Sequence, residues 1–188
     1  MTKLIVGLGN PDKEYQNTRH NLGFLALDHF KNTIDASNFS LKSAFQAEIS
    51  EGKVGETKVL LAKPSTFMNL SGQAVRKIAD YYHLSFDDII IIYDDIDLLL
   101  GQSRIRTGDQ TTTHNGVRSV IEHLNDNQFI RVRIGIDHIG RKLSTERFVL
   151  GKFNVLERKN IDQMLELVVK ELIVMLETKT IVSKTVSL

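Results

Sequence analysis

The chain has 188 residues, 41% hydrophobic and 25% charged, with a formal net charge of +1. A chain of that size buries roughly 70% of its unfolded surface as one globular domain. It contains no Cys, which excludes thiol nucleophiles, Cys-ligated zinc or iron–sulfur centres and disulfides, and makes a reducing compartment, the cytoplasm, the expected location. Its most apolar stretch, the isoleucines 89–92, runs into Asp94-Asp95-Ile96-Asp97, so no segment approaches the ~20 apolar residues that cross a bilayer and no membrane partner is expected.

Residues 3–8 are apolar and β-prone and stop at Gly9-Asn10-Pro11, which predicts a buried strand ended by a loop. Residues 20–30 take up helical spacing through Leu22, Leu25, Ala26 and Phe30, so loop 9–19 joins a strand to a helix. Residues 45–50 and 58–62 flank Gly52 and Gly55 as a hairpin requires. Residues 70–83 return to helical period, with Ala74, Ile78, Tyr81 and Tyr82 on one side. The run 89–93 is apolar on both faces, which predicts a central strand delivering Asp94 to its end. A strand at 103–106, a loop at 107–114, a helix at 116–124 and strands at 130–136 and 147–150 follow. From Ile161 through Leu165, Val168, Leu172 and Leu176 apolar positions recur at three and four, with Asp162, Glu166 and Lys170 opposite, predicting a packed last helix. Residues 178–188 read as a loosely held tail. Strands alternating with helices, plus one hairpin, imply the α/β class: a single domain, 1–188, with a mixed twisted sheet and helices on both faces.

Charge is distributed unevenly. Residues 104–152 hold nine Lys or Arg against five acids, while 87–97 hold five acids and no base. Gly7-Leu8-Gly9-Asn10-Pro11-Asp12 follows the first strand but lacks the third glycine of a dinucleotide loop, and Asn10 also fits a simple turn. His20 opens a helix after a polar loop; as a general base near neutral pH it needs a carboxylate to hold its tautomer. Asp94, Asp95 and Asp97 fit a Mg²⁺ site, a carboxylate orienting a histidine at a strand end, or a solvated turn, and local inspection leaves these open.

The six histidines have no metal-binding helical spacing, and there is no Gly-x-Ser-x-Gly elbow, so no metal is expected and water is the expected nucleophile. Residues 64–72 crowd Phe67, Met68 and Asn69 onto a helix start, where the plain reading sends Phe67 and Met68 to the core. His114-Asn115-Gly116 opens another helix, with Asn115 as its N-cap in the plain reading. Arg104, Arg106, Arg131 and Arg133 alternate along two strands, so Arg106 and Arg133 can each share a face with a neighbour, and paired guanidiniums suit phosphate.

Taken together, the blocks Leu4 through Pro11, Tyr15 with Thr18-Arg19-His20-Asn21-Leu22-Gly23, Pro64 through Gly72, Asp94-Asp95-Ile96-Asp97-Leu98, His114-Asn115-Gly116, Arg131 through Ile136, and Val149-Leu150-Gly151 resemble, in order, bacterial peptidyl-tRNA hydrolase. The resemblance implies a monomeric, cofactor-free α/β enzyme that cleaves the ester between a peptide and the 3′ ribose of tRNA. It implies that His20 accepts the proton of water, that Asp94 holds its basic form, and that Asn10 discriminates blocked from free aminoacyl-tRNA. Tyr15, Phe67, Asn69 and Asn115 match substrate-binding positions, Met68 lines the cleft, and Arg106 and Arg133 match places that hold the tRNA 5′-phosphate.

The chain departs from the family pattern at Gly108 to Thr113, where β-branched residues replace a glycine-rich approach, at Asp12, at Leu99 and Leu100, and at Asp137-His138-Ile139. Asp109 and Asp137 add negative charge near the implied tRNA path. Two other readings are a noncatalytic RNA-binding relative, supported by the altered 108–113 loop, and a Mg²⁺-dependent nuclease built on Asp94 to Asp97.

Overall fold

The computed structural model describes residues 1–108, 112–137, 144–180 and 183–188. Its sheet is organised by two strands too apolar to face water. β1 (Thr2–Gly7) lies parallel to β4 (Thr57–Pro64) on one side and to β5 (Ile89–Leu99) on the other, and β5 pairs in parallel with β7 (Ile130–Asp137). The sheet is completed by β2 (Ser40–Lys42), β3 (Ala47–Val54), β6 (Gln102–Thr107) and β8 (Lys184–Ser187), in the order β2-β3-β4-β1-β5-β7-β6-β8. The β3/β4 hairpin and both contacts of β6 are antiparallel, so the sheet is mixed, as expected.

The period-two alternation of β5 splits its side chains between two cores. Ile90 and Ile92 pack with α1 (Leu22–Thr33) and α5 (Val155–Thr178) through Leu27, Phe30, Leu165 and Leu172. Ile89, Ile91 and Tyr93 pack with α2 (Ser71–Tyr82) and α3 (Asn115–Leu124) through Ala74, Ile78, Val117 and Val120. Helices therefore cover both faces, and each fully buried isoleucine contributes about 1.5–3 kcal/mol of burial.

Close backbone approach then sets where α1 begins. A Cβ on Gly23 would stand 2.3 Å from Leu8 N and 2.4 Å from Ile92 O, and one on Gly7 would stand 2.2 Å from Gly23 O. Glycine at both positions lets the start of α1, and the 3₁₀ turn Arg19–Asn21 before it, rest directly on the ends of β1 and β5. β1 stops pairing at Gly7, opposite Ile92, so Asp94 stands just beyond it, at the carboxyl edge of the parallel strands.

Three local expectations are corrected. Residues 147–150, read as a strand, belong to a short helix, α4 (Thr145–Val149), followed by a turn; both edges of β7 are already taken by β5 and β6. The end of the tail read as loosely held forms β8, because the outer edge of β6 is open and Lys184–Ser187 can pair with it, helped by a Lys184–Glu171 ion pair at 2.6 Å. The N-cap of α3 is His114, whose Nδ1 accepts from Val117 N–H, and Asn115 is the first helical residue.

Candidate active site

The 3₁₀ turn before α1 places His20 against Asp94. The imidazole Nδ1 lies 3.0 Å from Asp94 Oδ1 and 3.1 Å from Oδ2, with the His20 side chain 12% exposed and that of Asp94 2%. Asp94 Oδ1 also receives His114 Nε2 at 3.1 Å, and the two imidazole rings stand 4.8 Å apart.

The tautomer of His114 follows from its other nitrogen. Val117 N–H donates to Nδ1 at 3.3 Å, so Nδ1 is the bare nitrogen and Nε2 carries the proton given to Asp94. Nδ1 of His20 likewise donates to the carboxylate, which leaves Nε2 as its accepting atom at the cleft surface.

Burial lowers the pKa of His20, but the charge of Asp94 and its hydrogen bond outweigh burial and raise it above the usual histidine value. For Asp94, burial alone would raise the pKa; the two imidazoles and their hydrogen bonds overcome it and hold the group well below the carboxylate range. Asp94 is therefore an anion at neutral pH. Tyr93, beside this pair, has its phenol pushed up to about 12 by burial, with Arg131 and Arg133 opposing, and stays neutral.

Among the described residues, His20, Asp94 and His114 form the one group offering three metal-ligand atoms within 4.8 Å of one another. Both histidines already give a proton to the carboxylate. A metal on His114 Nε2 would move that proton to Nδ1, against the Val117 N–H, so this donor set fits a proton network. The acidic run does not converge either. Asp95 turns to Arg133 Nε and to the backbone N–H of Asp97, at 2.8 Å for the latter, while Asp97 is exposed.

These groups open onto a cleft of about 710 Å³. Asn10 Oδ1 accepts Met68 N–H at 2.8 Å, and Arg118 donates to Asn115 Oδ1, so both amides present Nδ2 as the remaining donor. Asn69 and Phe67 line the same cleft; Phe67 is 51% exposed. A further part of the cleft wall comes from α4 and the turn after it, through Thr145, Glu146, Val149 and Leu150. A base, an anion behind it and several amide donors around an open cavity equip the site for water to attack an acyl carbon.

The comparisons with known proteins point to one family. The family model described as peptidyl-tRNA hydrolase matches residues 4–187. The chain belongs to the peptidyl-tRNA hydrolase family. It is 43% identical over 166 residues to the peptidyl-tRNA hydrolase of Clostridium tetani, covering 88% of this chain and 86% of that protein. It is 47% identical over 151 residues to that of Pediococcus pentosaceus, covering 80% of each. The crystal structure of peptidyl-tRNA hydrolase from Acinetobacter baumannii superposes with a TM-score of 0.87 at 32% identity, covering 95% of this chain and 89% of that one.

Of the residues that the family resemblance singled out, the fold brings Asn10, His20, Phe67, Met68, Asn69, Asp94, Asn115 and Arg133 to one cleft. Two lie outside its lining. Tyr15 ends a 3₁₀ turn, Lys13–Tyr15, and Arg106 is exposed on β6, across from Arg131. Phe67 departs from the plain reading: it faces solvent at the cleft while Met68 alone goes to the core. Of the departures from the family pattern, Thr112 and Thr113 line the cleft, and Thr112 Oγ1 accepts His114 N–H at 3.1 Å. Asp109 to Thr111 and His138 to Ile139 lie outside the described residues.

Sequence reasoning missed two residues of this candidate site. One is His114, whose place in His-Asn-Gly was noted without a role. The other is Asn21, which trades hydrogen bonds with Asn10: Asn10 N–H donates to Asn21 Oδ1 and Asn21 Nδ2 to Asn10 O, each at 2.9 Å. Only the adjacency of Asn21 to His20 hinted at it.

Proposed function

We propose that the chain hydrolyses the ester joining a peptide to the 3′ ribose of tRNA, by water that His20 activates. His20 Nε2 takes a proton from water as the water oxygen attacks the acyl carbon. The imidazolium so formed is stabilised by Asp94, and the proton passes to the departing 3′ oxygen as the carbonyl reforms. His114 keeps Asp94 in place. The Nδ2 groups of Asn10 and Asn115, with Asn69, donate to the peptide carbonyls and to the developing oxyanion, which reads backbone and leaves side chains unspecified.

Phe67 and Met68 line the acyl side. Arg133, Arg106 and Tyr15 meet the tRNA, the last two from outside the cleft, and phosphate contact is their means. The reaction needs no metal and no cofactor, and the enzyme works as a monomer in the cytoplasm. The observation that carries this reading is the imidazole pinned at 3.0 Å by a carboxylate that is itself buried between two histidines. A noncatalytic RNA-binding relative would have no use for that buried charge, and the separate partners of Asp94 and Asp95 argue against a magnesium nuclease.

The test is peptide release from N-blocked peptidyl-tRNA. His20→Ala abolishes turnover while thermal unfolding and tRNA binding persist, and a chelator leaves the wild-type rate unchanged. Near-normal release by the Ala variant refutes the role of His20; loss of rate on chelation refutes the metal-free reading.

A further inference from the structure

Arg19 opens the turn that carries His20, and it is bonded to the end of α4 and the segment after it. Its backbone N–H donates to Gly151 O at 3.0 Å, and its neighbour Thr18 forms an isolated antiparallel bridge with Lys152. The side chain turns inward. Nη2 donates to both carboxylate oxygens of Glu157 at 2.8 Å, and Nη1 to the carbonyls of Lys152 at 3.2 Å and Phe148 at 3.4 Å. The guanidinium lies 4.3 Å over the ring of Phe148 and 5.2 Å from that of Phe153. A charge that is 8% exposed persists only where its partners are fixed. Glu157 is fixed: it closes a capping box with Asn154 at the start of α5, by bonds of 2.8 and 2.9 Å.

Helix α4 has five residues, of which Phe148 is buried, so it cannot hold its own place. Phe148 and Val149 pack on the core, and the clamp ties the helix to the turn that carries His20. We propose that Arg19 is a positioning residue that sets the distance between His20 and the α4 wall, and with it the grip on the part of the substrate seated between them. The proposal rests on the hydrolase reading above. Arg19 touches no substrate; its effect passes through Phe148 and the 150–152 backbone to Thr145, Val149 and Leu150 at the cleft.

The bond between His20 and Asp94 does not involve the clamp. Loosening the clamp therefore weakens binding and leaves the chemical step alone, whereas a merely structural role lowers the fraction of active enzyme, reducing kcat at constant KM. Three variants strain the clamp differently. Arg19→Lys removes the fork, Glu157→Gln removes its anion, and Gly151→Ala keeps every charge but places a Cβ 2.9 Å from Arg19 Nη1 and 3.2 Å from Phe148 O. Met164→Ala, fully buried on α5 in the core that Phe148 also joins but outside the hydrogen bonds of the clamp, is the reference for simple destabilisation.

The expected result is a KM about fivefold or more above wild type in all three clamp variants, with kcat and the acid limb of its pH profile close to wild type, and an unchanged KM in Met164→Ala. Arg19→Lys combined with Glu157→Gln raises KM no further than the larger single effect, because both break one link. Amide hydrogen exchange supplies a readout without turnover: residues 145–150 exchange faster in the clamp variants and at the wild-type rate in Met164→Ala. Unchanged KM across the clamp variants, the same KM rise in Met164→Ala, or unchanged exchange at 145–150 overturns the proposal. A wild-type chain that releases no peptide counts against the hydrolase reading instead, and the exchange experiment still decides the clamp.

Discussion

Replacing Asp94 by Asn removes one charge and turns one acceptor into a donor, at a carboxyl group that receives His20 Nδ1 at 3.0 Å and His114 Nε2 at 3.1 Å. Both imidazoles donate to Oδ1 and only His20 also reaches Oδ2, so an amide that keeps its oxygen in the Oδ1 place puts its NH₂ group 3.1 Å from His20 Nδ1. Val117 N–H holds His114 in its Nε2–H tautomer, so the amide oxygen stays with His114 and the NH₂ group faces His20. His20 Nδ1 then becomes the acceptor, its proton moves to Nε2, and the atom that should take a proton from water already carries one. The lost charge-assisted bond to the developing imidazolium is worth about 1.5–3 kcal/mol, and restoring the active tautomer against the facing N–H costs about as much again. Together these give ~3–6 kcal/mol, or roughly 10²- to 10⁴-fold in kcat.

The pH profile carries a sign as well. In the native site, burial lowers the pKa of His20 but Asp94 raises it further, so the neutral, active form rises with pH through a value above 6.5. Without the Asp94 charge only the lowering from burial remains, and the acid limb of the residual activity moves below that value. Single-turnover release of peptide measured from about pH 5 to 9 reads both effects. A plateau within about threefold of wild type, or an acid limb that stays where it was, refutes the tautomer argument.

The basic residues separate by environment: exposed Arg106→Ala raises KM, leaves kcat unchanged and lowers the salt-dependence slope by about one, while a slope equal to wild type removes its phosphate contact. Arg133→Ala lowers kcat as well, because it strips Asp95, 7% exposed, of its guanidinium next to Asp94; an effect on KM alone refutes that coupling. Gly23→Ala pushes a methyl into the backbone at Leu8 and Ile92 and costs about 3 kcal/mol or more, seen as a lower urea midpoint at unchanged slope; an unchanged midpoint shows that α1 does not need that contact.

Much of the site was legible because its residues travel in short motifs. His20 with Asn21 and His114 with Asn115 each sit where a loop meets a helix, and Asp94 with Asp95 where the apolar run of β5 turns acidic, and such changes of period or polarity announce themselves. What the motifs could not say is which group meets which. Asp94 and Asp95 are adjacent and chemically identical, yet one lies between two imidazoles and the other faces a guanidinium, since successive strand residues point to opposite faces. Arg19 read as one letter of a motif, and nothing near it in the chain foretold a partner 138 residues away.

The amino-acid sequence by itself determined the alternation of strands and helices, the two-sided burial of residues 89–92, and membership of a family, because hydrophobic period and short motifs are local properties. Tertiary structure decided that residues 147–149 coil rather than extend, that the end of the chain becomes an edge strand, and that His114 caps α3 and shares Asp94 with His20. Those outcomes depend on which sheet edge is still open and which charges are left to be paired once the core has formed, and both quantities exist only after distant segments have met.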